Sequence, residues 1–135
     1  MTDTADRIAL QDVLLNYTKA VDERDDDLYC SLFTEDCLIV GMGATDINGI
    51  DAWYKAWKIA LSNYGTTQHM LGPMLATVNG DTATTRSDLQ ALHYLADEPE
   101  KTFTLWATYL TDMVRRDGQW KISRHELVVR GSRVQ

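Results

Sequence analysis

Asp22 and His69 have the side chains of a proton-abstracting pair. Asp22 lies near the end of a predicted first helix, and His69 lies in the middle of the strand-like run 66–71. A neutral imidazole accepts a proton near neutral pH, and a carboxylate behind it fixes the tautomer and the orientation of the ring. We therefore expect His69 to act as a catalytic base and Asp22 to hold its ring, provided that the fold brings the two together.

Tyr17 and His93 are the next candidates for a site. Tyr17 lies on the apolar stripe of the first helix, so its ring is expected in the core, with its hydroxyl as a candidate to contact a ligand. His93 shares one face of a predicted strand with Leu89 and Ala91, so it is expected to line a pocket as a hydrogen bonder or as a second acid. Two aromatic residues are further candidates for substrate binding: Trp57 and Tyr109.

Arg124 and His125 are adjacent on the last predicted strand. Successive side chains of a strand point to opposite faces, so one of the two is expected to point toward the pocket. The strand register decides which one, and the sequence leaves both open as substrate-binding candidates.

The sequence shows no signature of metal binding, nucleotide binding or thiol catalysis. The histidines show no His-x-His or HExxH spacing, so no metal site is expected. There is no glycine-rich phosphate loop, and the pattern predicts no cofactor. Cys30 and Cys37 have no basic neighbours that would activate a thiol, and we interpret them as free thiols in a reducing compartment.

The charge and the hydropathy of the sequence argue against nucleic acid and membranes as partners. The net charge is −7, and phosphate binding needs clustered Lys and Arg, so no nucleic-acid partner is expected. No apolar run reaches the roughly 18 residues of a membrane span. The acidic start 1–6 has neither the basic nor the apolar region of a signal peptide, and a cytoplasmic location is expected. The length of 135 residues predicts a single domain over residues 1–135.

Helical patterns occupy the first half of the chain. Residues 6–22 are predicted to form a helix, a second short helix is predicted to begin at 25–27, and a third covers 52–62 with Asp51 as its cap. Two residues, Ile8 and Leu15, are expected to widen the buried stripe of the first helix. The stripe itself has helical spacing: Leu10, Leu14, Tyr17 and Val21.

Strand patterns fill the second half of the chain, after one short strand in the first half. A turn is predicted at 34–36 and a short strand at 37–40, and the longer runs are 66–78, 82–95, 102–116 and 119–130. Gly72-Pro73 is the expected place for a bulge, and 79–81 is a hairpin turn. Helices followed by antiparallel strands predict an α+β fold, with the helices on one face of a curved antiparallel sheet.

The strand alternation also predicts an outer face of the sheet. On run 82–95, Arg86, Asp88 and Gln90 are expected to point away from His93. On run 102–116, the outward residues include large apolar groups. Since one layer of helices covers only one face, we expect a homo-dimer or homo-trimer. These apolar residues are Trp106, Leu110 and Val114.

The segments "VDERD", "LFTEDC", "TTQH", "VNGDTA" and "RRDGQWKISRHE" resemble, in this order, the SnoaL-like branch of the nuclear transport factor 2-like superfamily. The pattern is most similar to scytalone dehydratase, bile acid 7α-dehydratase and hexachlorocyclohexane dehydrochlorinase. The resemblance implies a cone-like fold, with three helices packed into the concave side of a strongly bent antiparallel sheet around a deep apolar pocket.

The resemblance also implies roles for individual residues. Asp22 matches the aspartate that orients the catalytic histidine of those lyases, and His69 matches that histidine. Tyr17 matches a tyrosine that lines the site, and His93 lies roughly where scytalone dehydratase has its second histidine. The dehydrochlorinase has an arginine near the position that 124–125 occupies here.

Together these patterns predict a cofactor-independent lyase, dehydratase-like, that acts on a small hydrophobic cyclic molecule. An isomerase or a cyclase on the same scaffold remains an alternative, and so does a non-catalytic ligand-binding or assembly subunit. Turnover by the isolated protein would favour the enzyme, and a stable hetero-complex would favour the subunit.

Overall fold

The structure is a computed structural model that describes residues 4–135. The start of the chain, 1–3, on which the expectation about a signal peptide partly rests, lies outside the described residues. Among those that are described, no helix is both long enough and apolar enough to cross a membrane. The elements in chain order are α1 (Thr4–Glu23), α2 (Asp26–Ser31), β1 (Phe33–Val40), β2 (Ile47–Asn48), α3 (Ile50–Leu61), β3 (Tyr64–Asn79), β4 (Thr82–Leu95), β5 (Thr102–Arg116) and β6 (Gln119–Val134).

Six strands form one sheet in the order β2-β1-β6-β5-β4-β3. The helices pack on its concave face and give the α+β, cone-like fold that the sequence predicts. One part of that prediction is wrong, because the sheet is not wholly antiparallel: β1 runs parallel to β6. A parallel pair needs a long crossover connection, and here the whole chain from β2 to β5 supplies it.

β1 begins earlier than predicted. The expected turn at 34–36 is extended chain, and Phe33 pairs with Ile122 of β6. The register shifts between Phe33 and Leu38, so a bulge absorbs the polar residues that suggested a turn. Pairing with a partner strand outweighs local turn propensity here. The same pairing explains why β6 continues past its predicted end to Val134, since its last residues pair with the start of β5.

The buried face of α1 differs from the predicted one, because Val13, Thr18 and Ala20 are buried beside the predicted stripe. The stripe of Leu10, Leu14, Tyr17 and Val21 is buried as predicted. Ile8 and Leu15 are 56% and 44% exposed, so the expectation that they widen the stripe is wrong. Within residues 4–135 only one side of α1 packs against the sheet, so Ile8 and Leu15 on its other side stay exposed.

The two shorter helices begin in different ways. The Asp25 side chain caps α2 by accepting a hydrogen bond from the Leu28 N–H at 3.1 Å, in agreement with the predicted start. α3 begins after Gly49, which has φ 90° and no side chain to cap with, so the prediction that Asp51 is the cap is wrong. Asp51 lies in the first turn, where its negative charge suits the helix dipole.

The strands behind the helices follow the predicted alternation. β3 shifts register between Leu71 and Met74, so the bulge at Gly72-Pro73 is confirmed. Along β4 buried and exposed residues alternate without interruption up to Ala91. The core therefore lies between the helices and the concave face of the sheet.

Candidate active site

A cavity of about 220 Å³ lies between α1, α3 and the concave face of the sheet. Most of its wall is apolar or aromatic, and two imidazoles, His69 and His93, are exposed to it. A small aromatic cavity with few polar groups suits a compact hydrophobic ligand and strengthens each polar contact inside. Six rings form much of the wall: Tyr17, Trp53, Trp57, Tyr64, Phe103 and Tyr109.

Asp22 at the end of α1 meets His69 on β3. Asp22 Oδ1 lies 2.8 Å from His69 Nδ1, and Asp22 Oδ2 accepts the backbone N–H of His69 at 2.8 Å. An ionised carboxylate only accepts hydrogen bonds, so Nδ1 carries the proton and Nε2 keeps a free lone pair. Since His69 lines the cavity, this arrangement can present a base to a bound molecule.

Asp22 is held in its charged form. Burial by itself would raise the pKa of Asp22, but hydrogen bonds from the side chain and backbone of His69 and from the Thr67 hydroxyl together lower it below the usual value. Thr67 Oγ1 donates to Asp22 Oδ1 at 3.0 Å, and Arg24 Nη1 donates to Thr67 Oγ1 at 2.9 Å. Neither Thr67 nor Arg24 was predicted from the sequence as part of the site. Thr67 could have been found, because it lies two positions before His69 on the same strand face.

His93 enters the cavity from β4, with its ring edge-on to His69 and their centroids 5.6 Å apart. Leu89 and Ala91 are buried beside it, whereas Arg86 and Asp88 are exposed on the other face, so the predicted register is confirmed. His93 Nδ1 lies 3.0 Å from the Phe103 carbonyl and must donate to it. Nε2 is therefore an acceptor. Burial lowers the pKa of His93, which keeps the ring neutral at pH 7.

Tyr17 belongs to a buried cluster of tyrosines. Its ring lines the cavity, and its hydroxyl interacts by hydrogen bonding with those of Tyr29 and Tyr109. Burial raises the pKa of Tyr17 and of Tyr109 well above the usual value, so both hydroxyls stay protonated and can donate. Tyr29, which the sequence analysis did not single out, also accepts a hydrogen bond from Trp53 Nε1 at 3.0 Å.

The two aromatic candidates for substrate binding, Trp57 and Tyr109, both line the cavity. Trp57 stacks on Tyr29 with a centroid distance of 3.9 Å and an interplanar angle of 5°. That stacking fixes the indole ring, so Trp57 offers a rigid wall rather than a mobile side chain.

Neither residue of the pair 124–125 lines the cavity. His125 points inward but is fully buried behind the rings of Tyr17 and Tyr109, whose centroids lie 4.8 and 4.5 Å away. Its Nδ1 lies 2.8 Å from Thr111 Oγ1, and burial lowers the pKa of His125 to about 3. Arg124 points to the opposite face, where it pairs with Glu126 at 3.0 Å. The expectation that one of the two contacts the ligand is therefore corrected.

A larger depression lies outside the concave site. It has a volume of about 560 Å³ and is lined by residues that include Arg7, Arg86 and Arg124. Arg86 and Arg124 each pair with an acidic residue two positions along their own strand, and the lining includes the Asp112 carboxylate but no imidazole. The chemistry therefore concentrates in the smaller cavity.

The two cysteine thiols show no sign of activation, and the described residues form no metal site. Burial raises the pKa of the Cys37 thiol to about 11, and burial with nearby carboxylates raises that of Cys30. Neither cysteine is a disulfide partner or an activated nucleophile. Within residues 4–135, no three His, Cys, Asp or Glu side chains are grouped closely enough to hold a metal ion.

Solved structures share this fold over nearly the whole chain. A protein of Novosphingobium aromaticivorans DSM 12444, described as a scytalone dehydratase, is 25% identical, with a TM-score of 0.88 over 96% of this chain and 87% of its own. Another protein of Novosphingobium aromaticivorans, described as an aromatic ring hydroxylase, is 25% identical. Its TM-score is 0.89, and the match covers 100% of this chain and 95% of its own. A type 2 hexachlorocyclohexane dehydrochlorinase is 22% identical and shares the fold. Its TM-score is 0.87, and the match covers 97% of this chain and 89% of its own.

The sequence comparison agrees with the structural one. Uncharacterized proteins of Mycobacterium tuberculosis and Mycobacterium bovis are 32% identical over 127 residues, which cover 92% of this chain and 85% of theirs. Residues 2–126 match the sequence profile of the SnoaL-like domain. The helices on a curved sheet and the cavity between them agree with this match. The chain therefore belongs to the SnoaL-like domain family of the nuclear transport factor 2-like superfamily.

Proposed function

We propose that this protein is a cofactor-independent lyase of the dehydratase type that removes water from a small hydrophobic cyclic molecule. The observation that carries the proposal is the 2.8 Å contact between His69 Nδ1 and Asp22 Oδ1 at the wall of an aromatic cavity. The similarity to a protein described as a scytalone dehydratase supports the same reaction class.

His69 carries out the proton transfers in this proposal. Nε2 takes a proton from a carbon next to a carbonyl or conjugated group, and the C–H electron pair forms a new double bond as the C–O bond breaks. The imidazolium returns that proton to the departing hydroxide, which leaves as water, and His69 becomes neutral again. Asp22 stabilises the imidazolium and holds the ring in place.

Two neighbouring side chains orient the substrate. The protonated Tyr17 hydroxyl turns from its tyrosine neighbours and donates to the substrate oxygen on which negative charge develops. His93 Nε2 accepts a hydrogen bond from a substrate hydroxyl, because Nδ1 already donates to the Phe103 carbonyl. This contact favours His93 as a hydrogen-bonding residue over the second acid that was its other predicted role.

The cavity limits the size of the substrate. Its volume of about 220 Å³ lies below the roughly 300–1,000 Å³ of drug-sized ligand pockets. A molecule of one or two rings with a hydroxyl and a carbonyl or conjugated system fits these walls. A larger polycyclic molecule would extend out of the cavity mouth or displace wall residues.

The test is a ligand screen followed by turnover of each hit. One- and two-ring hydroxy-ketones, phenols and terpenoid alcohols are screened by thermal shift, where a ligand at 100 times its Kd adds about 2.7 kcal/mol of stability. We expect His69→Ala to lose most of the chemical rate and Asp22→Asn to lower it about 10²-fold or more, since general-base catalysis contributes on that scale. Both variants should remain folded and bind the hit.

Asp88→Asn is the matched control, because it removes a carboxylate from the exposed face of β4 and should keep wild-type activity. Near-full activity in a folded His69→Ala protein would overturn the dyad mechanism. Tight binding without turnover of any hit would favour a ligand-binding or assembly role. A shifted double bond without loss of water would identify an isomerase.

A further inference from the structure

Arg24 occupies a backbone position where glycine is usual. It follows α1 with φ 56°, and the helix ends through Arg24 N–H to Val21 O at 3.2 Å and Asp25 N–H to Ala20 O at 2.9 Å. This pair of bonds is the common helix end in which the left-handed residue is most often glycine. An L-residue there is disfavoured sterically, and the contacts of the Arg24 side chain can offset this cost.

The Arg24 side chain reaches across to the first part of β3. Nη1 donates to Thr67 Oγ1 at 2.9 Å and to Val21 O at 2.6 Å, and Nη2 donates to Gly65 O at 2.5 Å. These bonds connect the end of α1, which carries Asp22, to the strand that carries His69. Arg24 therefore fixes the distance between the two elements that supply the catalytic pair.

The guanidinium also sets the direction of a hydrogen-bond chain. Arginine has donors and no acceptor, so Thr67 Oγ1 can only accept from Arg24. The single proton of the Thr67 hydroxyl, which is 4% exposed as a residue, is then free for Asp22 Oδ1 at 3.0 Å. The resulting chain runs from Arg24 through Thr67 to Asp22, which also accepts from His69.

We propose that Arg24 is a positioning residue of this site, which acts through Thr67 to hold the Asp22 carboxylate against His69. A role of Arg24 in catalysis rests on the proposed function, whereas its influence on the pKa of Asp22 does not. The charged and titratable groups that face Asp22 are Arg24 itself, His69 on β3, His93 on β4 and Tyr109 on β5.

The test follows the titration of the Asp22 carboxyl carbon by NMR in the protein without ligand. Arg24→Gly and Thr67→Val should each raise the pKa of Asp22, because Thr67→Val removes the donor on Oδ1 and Arg24→Gly removes the guanidinium that orients this donor. The double variant should move it no further than the larger single change, since both act through one chain. Thr67→Ser keeps the hydroxyl and should titrate like the wild type.

Asp117→Gly is the matched control for the glycine replacement. Asp117 is the other non-glycine residue of 4–135 with positive φ, at 53°, and it lies in the β5–β6 turn away from the site. This variant should leave the Asp22 titration and the activity unchanged. Once a substrate is known, Arg24→Gly should lower kcat about tenfold to hundredfold with KM nearly constant, because misplacement of the pair affects the transition state.

An unchanged Asp22 titration in Arg24→Gly, or fully additive shifts in the double variant, would overturn the inference. If Arg24→Gly fails to fold, Arg24→Lys replaces it and should give a shift in the same direction, because one ammonium cannot reach all three acceptors. If Asp22 responds as expected but the wild-type protein converts no substrate, the positioning role stands and the proposed function is wrong.

Discussion

His93 Nδ1 lies 3.0 Å from the carbonyl oxygen of Phe103, and this contact leaves Nε2 as a hydrogen-bond acceptor at the cavity wall. His93 and Phe103 are directly paired across β4 and β5, so the backbone itself sets the tautomer. The orientation of the second imidazole is therefore a property of the sheet and needs no carboxylate.

His93→Phe should weaken substrate binding more than it slows the chemistry. Loss of one neutral hydrogen bond corresponds to about 0.5–1.5 kcal/mol, so we expect KM for a hydroxylated substrate to rise about two- to tenfold with a smaller change in kcat. Steady-state kinetics measures both constants, and the analogue that lacks the hydroxyl is the control, since it should bind both proteins alike. A collapse of kcat with constant KM would instead show that His93 transfers a proton.

His125 should make the protein sensitive to mild acid. Burial lowers the pKa of His125 to about 3, whereas an unfolded histidine has a pKa of about 6.5. Below pH 6.5 the unfolded chain binds a proton that the folded chain does not, so stability falls as the pH decreases toward 3. The total change from this one group is of the order of several kcal/mol.

Urea unfolding between pH 6.5 and pH 5 measures this loss before most carboxylates titrate. A His125→Gln protein should be less stable at pH 7 but should show a shallower decrease over that range. His93→Phe provides the comparison for the other buried imidazole, whose pKa is also lowered. An identical slope in wild-type and His125→Gln proteins would contradict the prediction.

Gly41→Ala should be markedly destabilising. Gly41 has φ 79°, and a Cβ there would lie 2.3 Å from the Leu127 carbonyl oxygen. Gly118 has φ 76° with nothing within 4 Å of such a Cβ, so Gly118→Ala isolates the cost of the backbone conformation, about 1–2 kcal/mol. We expect Gly41→Ala to lose more free energy of unfolding than Gly118→Ala, as measured by urea denaturation, and equal losses would show that the loop moves aside.

The outer face of the sheet should mediate self-association into a dimer or trimer. Trp106 is 39% exposed there, on the same strand as the partly buried Leu110 and Val114. Sedimentation at micromolar concentration should show an assembly, and Trp106→Glu should shift it toward a 15.3 kDa monomer. Ile59→Glu, on an exposed position of α3, is the control that should leave the assembly unchanged. A wild-type monomer would contradict this prediction.

The periodicity of the sequence was sufficient to predict the direction of a side chain where a single helix or strand determines it. The helical repeat placed the Tyr17 ring in the core, and the two-residue repeat of β4 placed His93 in the cavity. The break at Gly72-Pro73 was also local, because a glycine followed by a proline cannot continue regular strand pairing. In these cases the side-chain direction follows from the geometry of one helix or strand.

Tertiary structure decided the contacts that join distant segments. Asp22 and His69 are 47 positions apart, and their 2.8 Å contact exists because α1 packs on β3. Arg24 carried no local signal at all, since its partners Thr67 and Gly65 belong to that other element. Strand pairing likewise converted the predicted turn at 34–36 into the first part of β1.

The choice between Arg124 and His125 shows the physical reason most clearly. Trp120 and Ile122 are buried, so simple alternation along β6 would point Arg124 inward. Met113 pairs with Ile122 and Asp112 with Arg124, which leaves Ser123 as an extra residue in a bulge. That one residue reverses the alternation and turns His125 into the core, and a bulge depends on the partner strand as well as on the chain that contains it.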